Sequence, residues 1–325
     1  MNGTAITRPK PGLQALAPFL QRYGIILAFV VLCVILTFSS EYFLTPKNIL
    51  NVVRQTSING ILALGMTLVI LTGGIDLSVG STLALAGIVA ASMVRGLHAE
   101  NAALAAAAGL AVGAGVGLVN GLLVARLAVP PFVATLGMLS IGRGLTYIYS
   151  NGMPIPNLSK NFLWIGQGDI AGIPIPIFFF LGVFVVLWVV LNKTTYGRYV
   201  YAVGGNEKSA KTAGIATKTI IVSVYILCGI CAALGGLILT ARTTSGLPQA
   251  GVSYELDAIA AVVIGGTSLS GGVGTIHGTL IGALIIGVIN NGLDLLGVSS
   301  FYQQVVKGVI IIVAVLLDTA RHARD

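Results

Sequence analysis

Long runs of apolar residues without a single charge recur along almost the whole chain. The first covers residues 24–40, and the last, interrupted only by Lys307, covers residues 295–317. The others cover residues 55–75, 77–94, 101–125, 127–142, 170–192, 219–241 and 258–293. A helix needs about 20 apolar residues to cross about 30 Å of hydrocarbon. Because the run at 258–293 is 36 residues long and is broken by glycines, we count it as two spans and predict about ten transmembrane helices.

The composition fits a membrane protein and excludes several soluble classes. Hydrophobic residues make up 56% of the 325 residues and charged residues only 9%, whereas a soluble domain carries about 25% charged residues. Ten spans of about 20 residues leave no room for a sizeable soluble domain. We therefore expect an all-α, polytopic integral membrane protein, embedded in the lipid bilayer and without a nucleic-acid partner.

Basic residues predict the orientation, because cytoplasmic loops carry an excess of Lys and Arg. The connection at residues 193–218 holds five basic residues and one acidic residue, the largest cluster in the chain. Residues 1–22 lack the apolar core and cleavage site of a signal peptide. We expect a cytoplasmic tail at residues 1–22, a transmembrane domain at 23–318 with a cytoplasmic loop at 193–218, and a cytoplasmic tail at 319–325. An even number of spans places both termini on the cytoplasmic side of a bacterial inner membrane.

Four glycines predict a closely packed helix. Gly109, Gly113, Gly117 and Gly121 recur every four residues along one face of a span. Such ladders let helix backbones approach closely where lipid provides no hydrophobic drive for association. The ladder favours packing inside one subunit over a dimer face.

Two stretches break the apolar pattern without adding a basic residue. Residues 71–81 read LTGGIDLSVGS, and residues 265–275 read GGTSLSGGVGT. Their similarity makes an internal repeat, of the kind known from transporters, one explanation. Irregular backbone at membrane depth is tolerated only against protein or a water-filled cavity. The two breaks therefore either line a pathway or form tight turns between helices.

Polar side chains in or beside the spans are candidates for the pathway or for the structure of the breaks. Asp76 can cap a helix beginning near Leu77, and Glu255 and Asp257 can favour the start of the next helix; lining the pathway is the alternative role for each. Asparagines within spans are more typical of interhelical hydrogen bonds, and Lys307 and Arg143 lie near span ends, where long side chains can snorkel. The candidate set is Asn59, Asp76, Ser78, Glu255, Asp257, Thr267 and Ser268.

No catalytic or metal-binding pattern is visible. The phosphate-binding pattern G-x-x-x-x-G-K-[ST] and the nucleophile elbow G-x-S-x-G do not occur, and the three histidines lack metal-ligand spacing. We expect a chain that is not an enzyme and binds no metal or cofactor directly. If ATP drives transport, another polypeptide must hydrolyse it.

The cytoplasmic loop predicts a docking element. Asn206 can cap a short helix running to Ala213, and Gly214 can end it. Such a helix is too short to be stable alone, so it should dock either on its own loop or in a groove of a cytoplasmic partner.

Several of these segments together carry a family resemblance. Four segments resemble the permease family of bacterial monosaccharide ABC importers. They are the break at residues 73–81, the loop at 197–215, the run YELDAIAAVV at 254–263 with its following Gly-Gly, and the run NNGLDLLGVSS at 290–300. The last run is similar to members that carry ribose. The resemblance covers roughly residues 20–318. It implies a type II importer-like permease without an ATPase site. It also implies three kinds of partner: a cytoplasmic ATPase with fused nucleotide-binding domains, a periplasmic sugar-binding protein, and a second permease subunit in a homodimer or pair. The ATPase would use ATP and Mg²⁺. It places ATPase coupling on Gly197, Gly205, Asn206, Glu207, Ala210, Ala213, Gly214 and Ile215.

Other functions remain open from the residues alone. An ion-coupled secondary sugar transporter would use an acid such as Asp76 as its coupling site, whereas a channel or structural protein would show no ATP dependence. Within the ABC class, the solute could be another pentose or hexose, an autoinducer sugar or a branched-chain amino acid.

One substitution tests the coupling assignment. Gly214→Pro should abolish transport while leaving membrane insertion intact, because it breaks the end of the docking helix. Solute uptake by cells and the amount of chain in the membrane fraction are measured together. Unchanged uptake would contradict the coupling role of this loop.

Overall fold

Helices dominate the described part of the chain. The computed structural model describes residues 11–96 and 101–322. Apart from two two-residue strands, β1 (Asp169–Ile170) and β2 (Ile173–Pro174), which pair in an antiparallel hairpin, its named elements are helices. They are α1 (Pro11–Ser39), α2 (Pro46–Leu71), α3 (Val79–Met93), α4 (Ala102–Ala125), α5 (Pro131–Ser150), α6 (Lys160–Gln167), α7 (Ile175–Lys193), α8 (Thr195–Gly205), α9 (Glu207–Thr212), α10 (Thr217–Arg242), α11 (Tyr254–Ile264), α12 (Ile276–Leu295) and α13 (Ser300–His322).

Each predicted apolar run coincides with a helix. Among the described residues, five helices are long and apolar enough to cross a membrane: α2, α4, α7, α10 and α12. The apolar parts of α1, α3 and α13 are shorter, and the 11 residues of α11 extend only about 16 Å, roughly half of the hydrocarbon thickness. The helices support a polytopic membrane protein, and the number of ten spans stays a prediction.

The predicted tails lie only partly within the described residues. Helix α1 begins at Pro11, so helical structure extends into the predicted tail of residues 1–22, while residues 1–10 lie outside the described ranges. At the other end, α13 continues to His322, and residues 323–325 of the predicted tail are likewise outside them.

Glycine explains why α2 and α11 end where they do. Gly73, at φ +79°, and Gly266, at φ +83°, occupy the left-handed conformation that follows a helix end. After α2, the Gly74 N–H donates to the Val69 carbonyl (3.0 Å), and after α11 the Thr267 N–H donates to the Val262 carbonyl (3.2 Å). Both breaks therefore open with the same Schellman cap, which accounts for one glycine of each Gly-Gly pair.

Helix α10 forms the centre of the bundle and packs against α2, α3 and α4. The glycine ladder of α4 faces it: a Cβ added at Gly113 would fall against the carbonyl of Gly229, and one at Gly117 against that of Tyr225. The predicted packing inside one subunit is confirmed, because the ladder is covered by another helix of the same chain.

The two breaks lie at the same end of the bundle. The Gly272 N–H of the second break donates to the carbonyl of Leu71 at the end of α2 (2.9 Å). Four residues before the end of α2, the Thr67 hydroxyl lies 2.7 Å from the Thr279 hydroxyl of α12, and this contact joins the two helices. We call this end the junction end; the connections that follow α1, α10 and α12 lie at the opposite end.

The glycine ladder supplies a stability test with a matched control. Gly113→Ala should destabilise the protein by about 1–3 kcal/mol, because the added methyl group forces α4 away from α10. Gly115→Ala should be neutral or slightly stabilising, because nothing lies within 4 Å of a Cβ at that position and Ala favours helix more than Gly does. Thermal unfolding of the purified chain in detergent measures both. Equal midpoints for the two variants would contradict the packing.

Candidate functional site

The short helix predicted in the loop is present. Helix α9 runs from Glu207 to Thr212, and the side-chain oxygen of Asn206 accepts a hydrogen bond from the Ser209 N–H (2.9 Å). Gly214 follows the helix with φ +85°, a conformation that proline cannot adopt. The cap and the stop residue therefore act as predicted, and docking on an ATPase stays a prediction.

Helix α9 is attached to the bundle by few contacts and leaves most of its surface free. The Glu207 carboxylate accepts a hydrogen bond from the Thr217 hydroxyl at the start of α10 (3.1 Å), Ala210 is buried, and Ile215 packs against the main core. The side chains of Lys208 and Lys211 are exposed. The helix is thus held at a defined place while presenting a basic surface to solvent.

Helix α8 meets both breaks through closely packed backbone, most of it glycine. A Cβ added at Gly204 would fall against the Leu71 carbonyl and lie 2.6 Å from the Gly272 nitrogen. A Cβ at Gly271 would lie 2.8 Å from the Gly73 nitrogen and 3.0 Å from the Gly204 carbonyl oxygen. We call Gly73, Gly204, Gly271 and Gly272 the glycine junction. Because no side chain fits between these segments, a displacement of α8 must displace both breaks.

Two tyrosines tie α8 to the bundle beside the junction. The Tyr201 hydroxyl donates to the Gly274 carbonyl (3.0 Å), and the hydroxyls of Tyr196 and Ser223 are 2.7 Å apart. Burial raises the pKa of the Tyr201 phenol, so it stays protonated and able to donate at physiological pH. Gly197, another predicted coupling residue, lets α8 approach the end of α7, because a Cβ there would fall against Leu191.

Asp76 and Ser78 form a buried polar network in the first break. One carboxylate oxygen of Asp76 accepts from the Ser78 N–H (2.9 Å), the Ser78 hydroxyl (2.6 Å) and the Asn120 side-chain amide (3.3 Å). All three residues are buried. The prediction that Asp76 caps the next helix is wrong: α3 starts at Val79, two residues later than predicted, and Ser78 is its N-cap. The carboxylate instead holds the turn that leads into α3, and a pathway role for Asp76 stays a prediction.

Thr267 and Ser268 also belong to a turn. Both are buried, and the Ser268 N–H donates to the Val273 carbonyl (2.9 Å) while its hydroxyl accepts from the Ser270 N–H (3.2 Å). These contacts fit the tight-turn alternative for the second break. A pathway role for either break stays a prediction.

Glu255 and Asp257 point to different neighbours. The buried Asp257 carboxylate accepts from Lys307 Nζ (2.8 Å) and from the side-chain amide of Asn59 (3.2 Å). The Glu255 carboxylate is hydrogen-bonded to backbone at the start of α11 and lies in the electrostatic field of Arg143. The structure thus brings Asn59 and Asp257 together as a pair and separates them from Glu255.

The expectation that Lys307 and Arg143 snorkel is wrong. Lys307 turns inward to Asp257, and Arg143 donates two hydrogen bonds to the carbonyls of Pro248 (2.7 Å) and Ala250 (2.8 Å). A charged side chain within the membrane is costly unless it has a partner. Both side chains find oxygen acceptors inside the protein, so they do not reach for the membrane surface. In the sequence, the one feature that could have indicated these inward contacts was a single basic residue within an otherwise apolar run.

Comparisons with known proteins agree along most of the chain. A family described as the permease component of branched-chain amino acid transport systems matches residues 48–315. The Ribose import permease protein RbsC of Bacillus subtilis (strain 168) is 52% identical over 94% of both chains, and that of Escherichia coli (strain K12) is 52% identical over 91% of this chain and 93% of its own. The D-allose transport system permease protein AlsC of Escherichia coli (strain K12) is 42% identical over 93% of both chains.

No solved structure was found to match the chain. The match of the family to residues 48–315 includes both breaks, the loop with α8 and α9, and the first 16 of the 23 residues of α13. The chain belongs to the family described as the permease component of branched-chain amino acid transport systems, together with the sugar permeases that it resembles.

Proposed function

We propose that this chain is the membrane-spanning permease subunit of an ATP-driven importer that carries a monosaccharide, with ribose as the favoured substrate. The observation that carries the proposal is the glycine junction, which links an exposed helix of the loop to both intramembrane breaks. A transport chain powered by another polypeptide needs such a link. The relatives at 52% identity named as ribose import permeases supply the substrate.

The relatives favour a sugar over an amino acid. The family description names branched-chain amino acids, whereas the allose, L-arabinose and galactose/methyl galactoside permeases among the relatives are 37–42% identical to this chain. The ribose permeases are more similar than these, at 49–52% identity. This order supports ribose, with the other sugars as alternatives.

The proposed importer contains four kinds of chain or domain. A cytoplasmic ATPase with fused nucleotide-binding domains, using ATP and Mg²⁺, docks on α9 and the residues around it. A periplasmic binding protein delivers the sugar to the opposite end of the bundle, and a second permease subunit completes the pathway. In this orientation the junction end faces the cytoplasm, both termini are cytoplasmic, and the chain spans the bacterial inner membrane.

Reconstitution tests the proposed function directly. The chain is placed in proteoliposomes with its ATPase inside and its loaded binding protein outside, and uptake of radiolabelled D-ribose is followed. We expect uptake that requires ATP and the binding protein and persists when ionophores collapse the ion gradients. Uptake that needs an ion gradient but not ATP would establish a secondary transporter instead.

The glycine junction tests the coupling mechanism. Gly204→Ala should lower ribose import at least about tenfold, because the methyl group pushes α8 away from Leu71 and Gly272 at a step that requires close geometry. Gly115→Ala in α4, outside the loop and the junction, is the control: nothing lies within 4 Å of a Cβ there, so import should stay near the wild-type rate. Import, ATP hydrolysis and recovery of the ATPase with the tagged permease are measured for both variants. Normal import by Gly204→Ala would contradict transmission through the junction.

A further inference from the structure

A polar cavity lies at the end of the bundle opposite to the glycine junction. Its volume is about 290 Å³, and it lies between α2, α10, α11, α12 and α13. This is near the lower end of the range of roughly 300–1,000 Å³ found for small-molecule pockets. We call it the polar vestibule and define it by Asn59, Arg242, Asp257, Asn290, Gln303 and Lys307.

The polar vestibule runs from an exposed rim to a buried base. At the rim, the exposed Asp294 accepts a hydrogen bond from the side-chain amide of Gln303 (2.8 Å). At the base, the ion pair of Lys307 and Asp257 has exposed side-chain fractions of 23% and 3%. Asn59 bonds the same carboxylate oxygen as Lys307 does. A small solute entering at the rim would therefore meet polar groups along its whole depth.

The lining keeps hydrogen-bonding capacity that the chain itself does not use. Among the described residues, the side-chain oxygen of Asn290 is buried and has no hydrogen-bond partner. Leaving such an acceptor unpaired is costly. Lys307 carries three donors, of which one is used on Asp257. A ligand with several hydroxyl groups, each both donor and acceptor, would bond the unused donors of Lys307 directly, and the Asn290 oxygen once that side chain turns into the cavity.

The charges of the vestibule select a neutral ligand over a charged one. The lining carries two cations, Arg242 and Lys307, and two carboxylates, Asp257 and Asp294, so it has no net charge. A branched-chain amino acid would need an apolar pocket for its side chain, whereas most residues of this lining are polar, the exceptions being Ile58, Leu239 and Tyr254. A neutral polyhydroxylated ring with a volume of about 290 Å³ or less fits the cavity in charge, polarity and size.

We infer that the polar vestibule is a monosaccharide subsite of the permease subunit itself, which receives a pentose-sized sugar before it is translocated. The inference rests on the proposed function and deepens it. Asn59, Asn290 and Lys307 contact the hydroxyl groups of the sugar, and Asp257 positions Lys307. Affinity is weak because Asn59 and Lys307 already bond Asp257 and must share their donors with the sugar, and weak binding lets the sugar leave.

Protection of a cysteine from modification tests binding. Gln303→Cys at the rim is combined with Cys33→Ser, since the other two cysteines are buried, and the full chain in lipid nanodiscs is treated with a membrane-impermeant maleimide. D-ribose at twice its dissociation constant should slow labelling about threefold, because only a third of the sites remain free. Maltose, too large for the cavity, should have no effect. Leu296→Cys, exposed outside the vestibule, is the control and should react equally with and without ribose.

Neighbouring asparagines separate a binding role from a structural one. Asn290→Leu removes the unpaired oxygen together with the amide that bonds Asp257, and it should weaken ribose protection about tenfold in the folded fraction. Asn291 instead exchanges two hydrogen bonds with Asn48 (3.0 and 2.9 Å). Asn291→Leu should lower the thermal stability of the chain and leave ribose protection unchanged in the folded fraction.

The outcomes distinguish this inference from the proposed function. ATP-dependent ribose import together with no ribose protection of Gln303→Cys, up to the solubility limit of the sugar, would overturn the vestibule and leave the proposed function standing. Equal protection in Asn290→Leu and the parent chain would likewise overturn it. Protection without ATP-dependent import would support the subsite and overturn the importer.

Discussion

The hydrocarbon of a membrane offers no water to a free backbone group, so every departure from helix must be satisfied inside the protein. Two of the departures from helix at the junction end of the bundle are the breaks at residues 71–81 and 265–275. Each departure starts with a Schellman cap on glycine, and the second donates the Gly272 N–H to the last carbonyl of α2. The two breaks thus satisfy each other, and the contact is close enough that only glycine backbone fits. The places of α2, α8 and α12 at this end follow from that contact.

The same shortage of water decides where the few charged groups of the bundle lie. Asp257 is neutralised by Lys307, which joins α11 to α13. Asp76, with no cationic group within salt-bridge distance in the described ranges, is held instead by Ser78 and Asn120. Asp257 therefore joins α13 to α11, and Asp76 joins the first break to α4. A charge that lost its partner would be stranded at high cost.

The arrangement separates two functional surfaces by the length of the bundle. The exposed helix α9 and the glycine junction lie at one end, and the polar vestibule lies at the other. Helices α2 and α12 extend between them and are joined side by side through Thr67 and Thr279. In the proposed importer, a displacement of α8 at the junction would pass along these packed helices to the walls of the vestibule. The proposal thus links ATP hydrolysis on a separate chain to the affinity for a sugar at the far end.

Periodicity and composition determined the helical class, the positions of the helices and the short capped helix of the loop, because spans need long apolar runs and caps need Asn or Gly at fixed positions. The glycine pattern likewise identified α4 as closely packed. Partners distant in sequence were not determined. The pairing of Lys307 with Asp257, the inward turn of Arg143 and the meeting of Gly204 with Leu71 depend on which helices lie side by side. Local sequence carries no record of a neighbour that lies 50 or more residues away, and only the packing of the bundle brings such residues into contact.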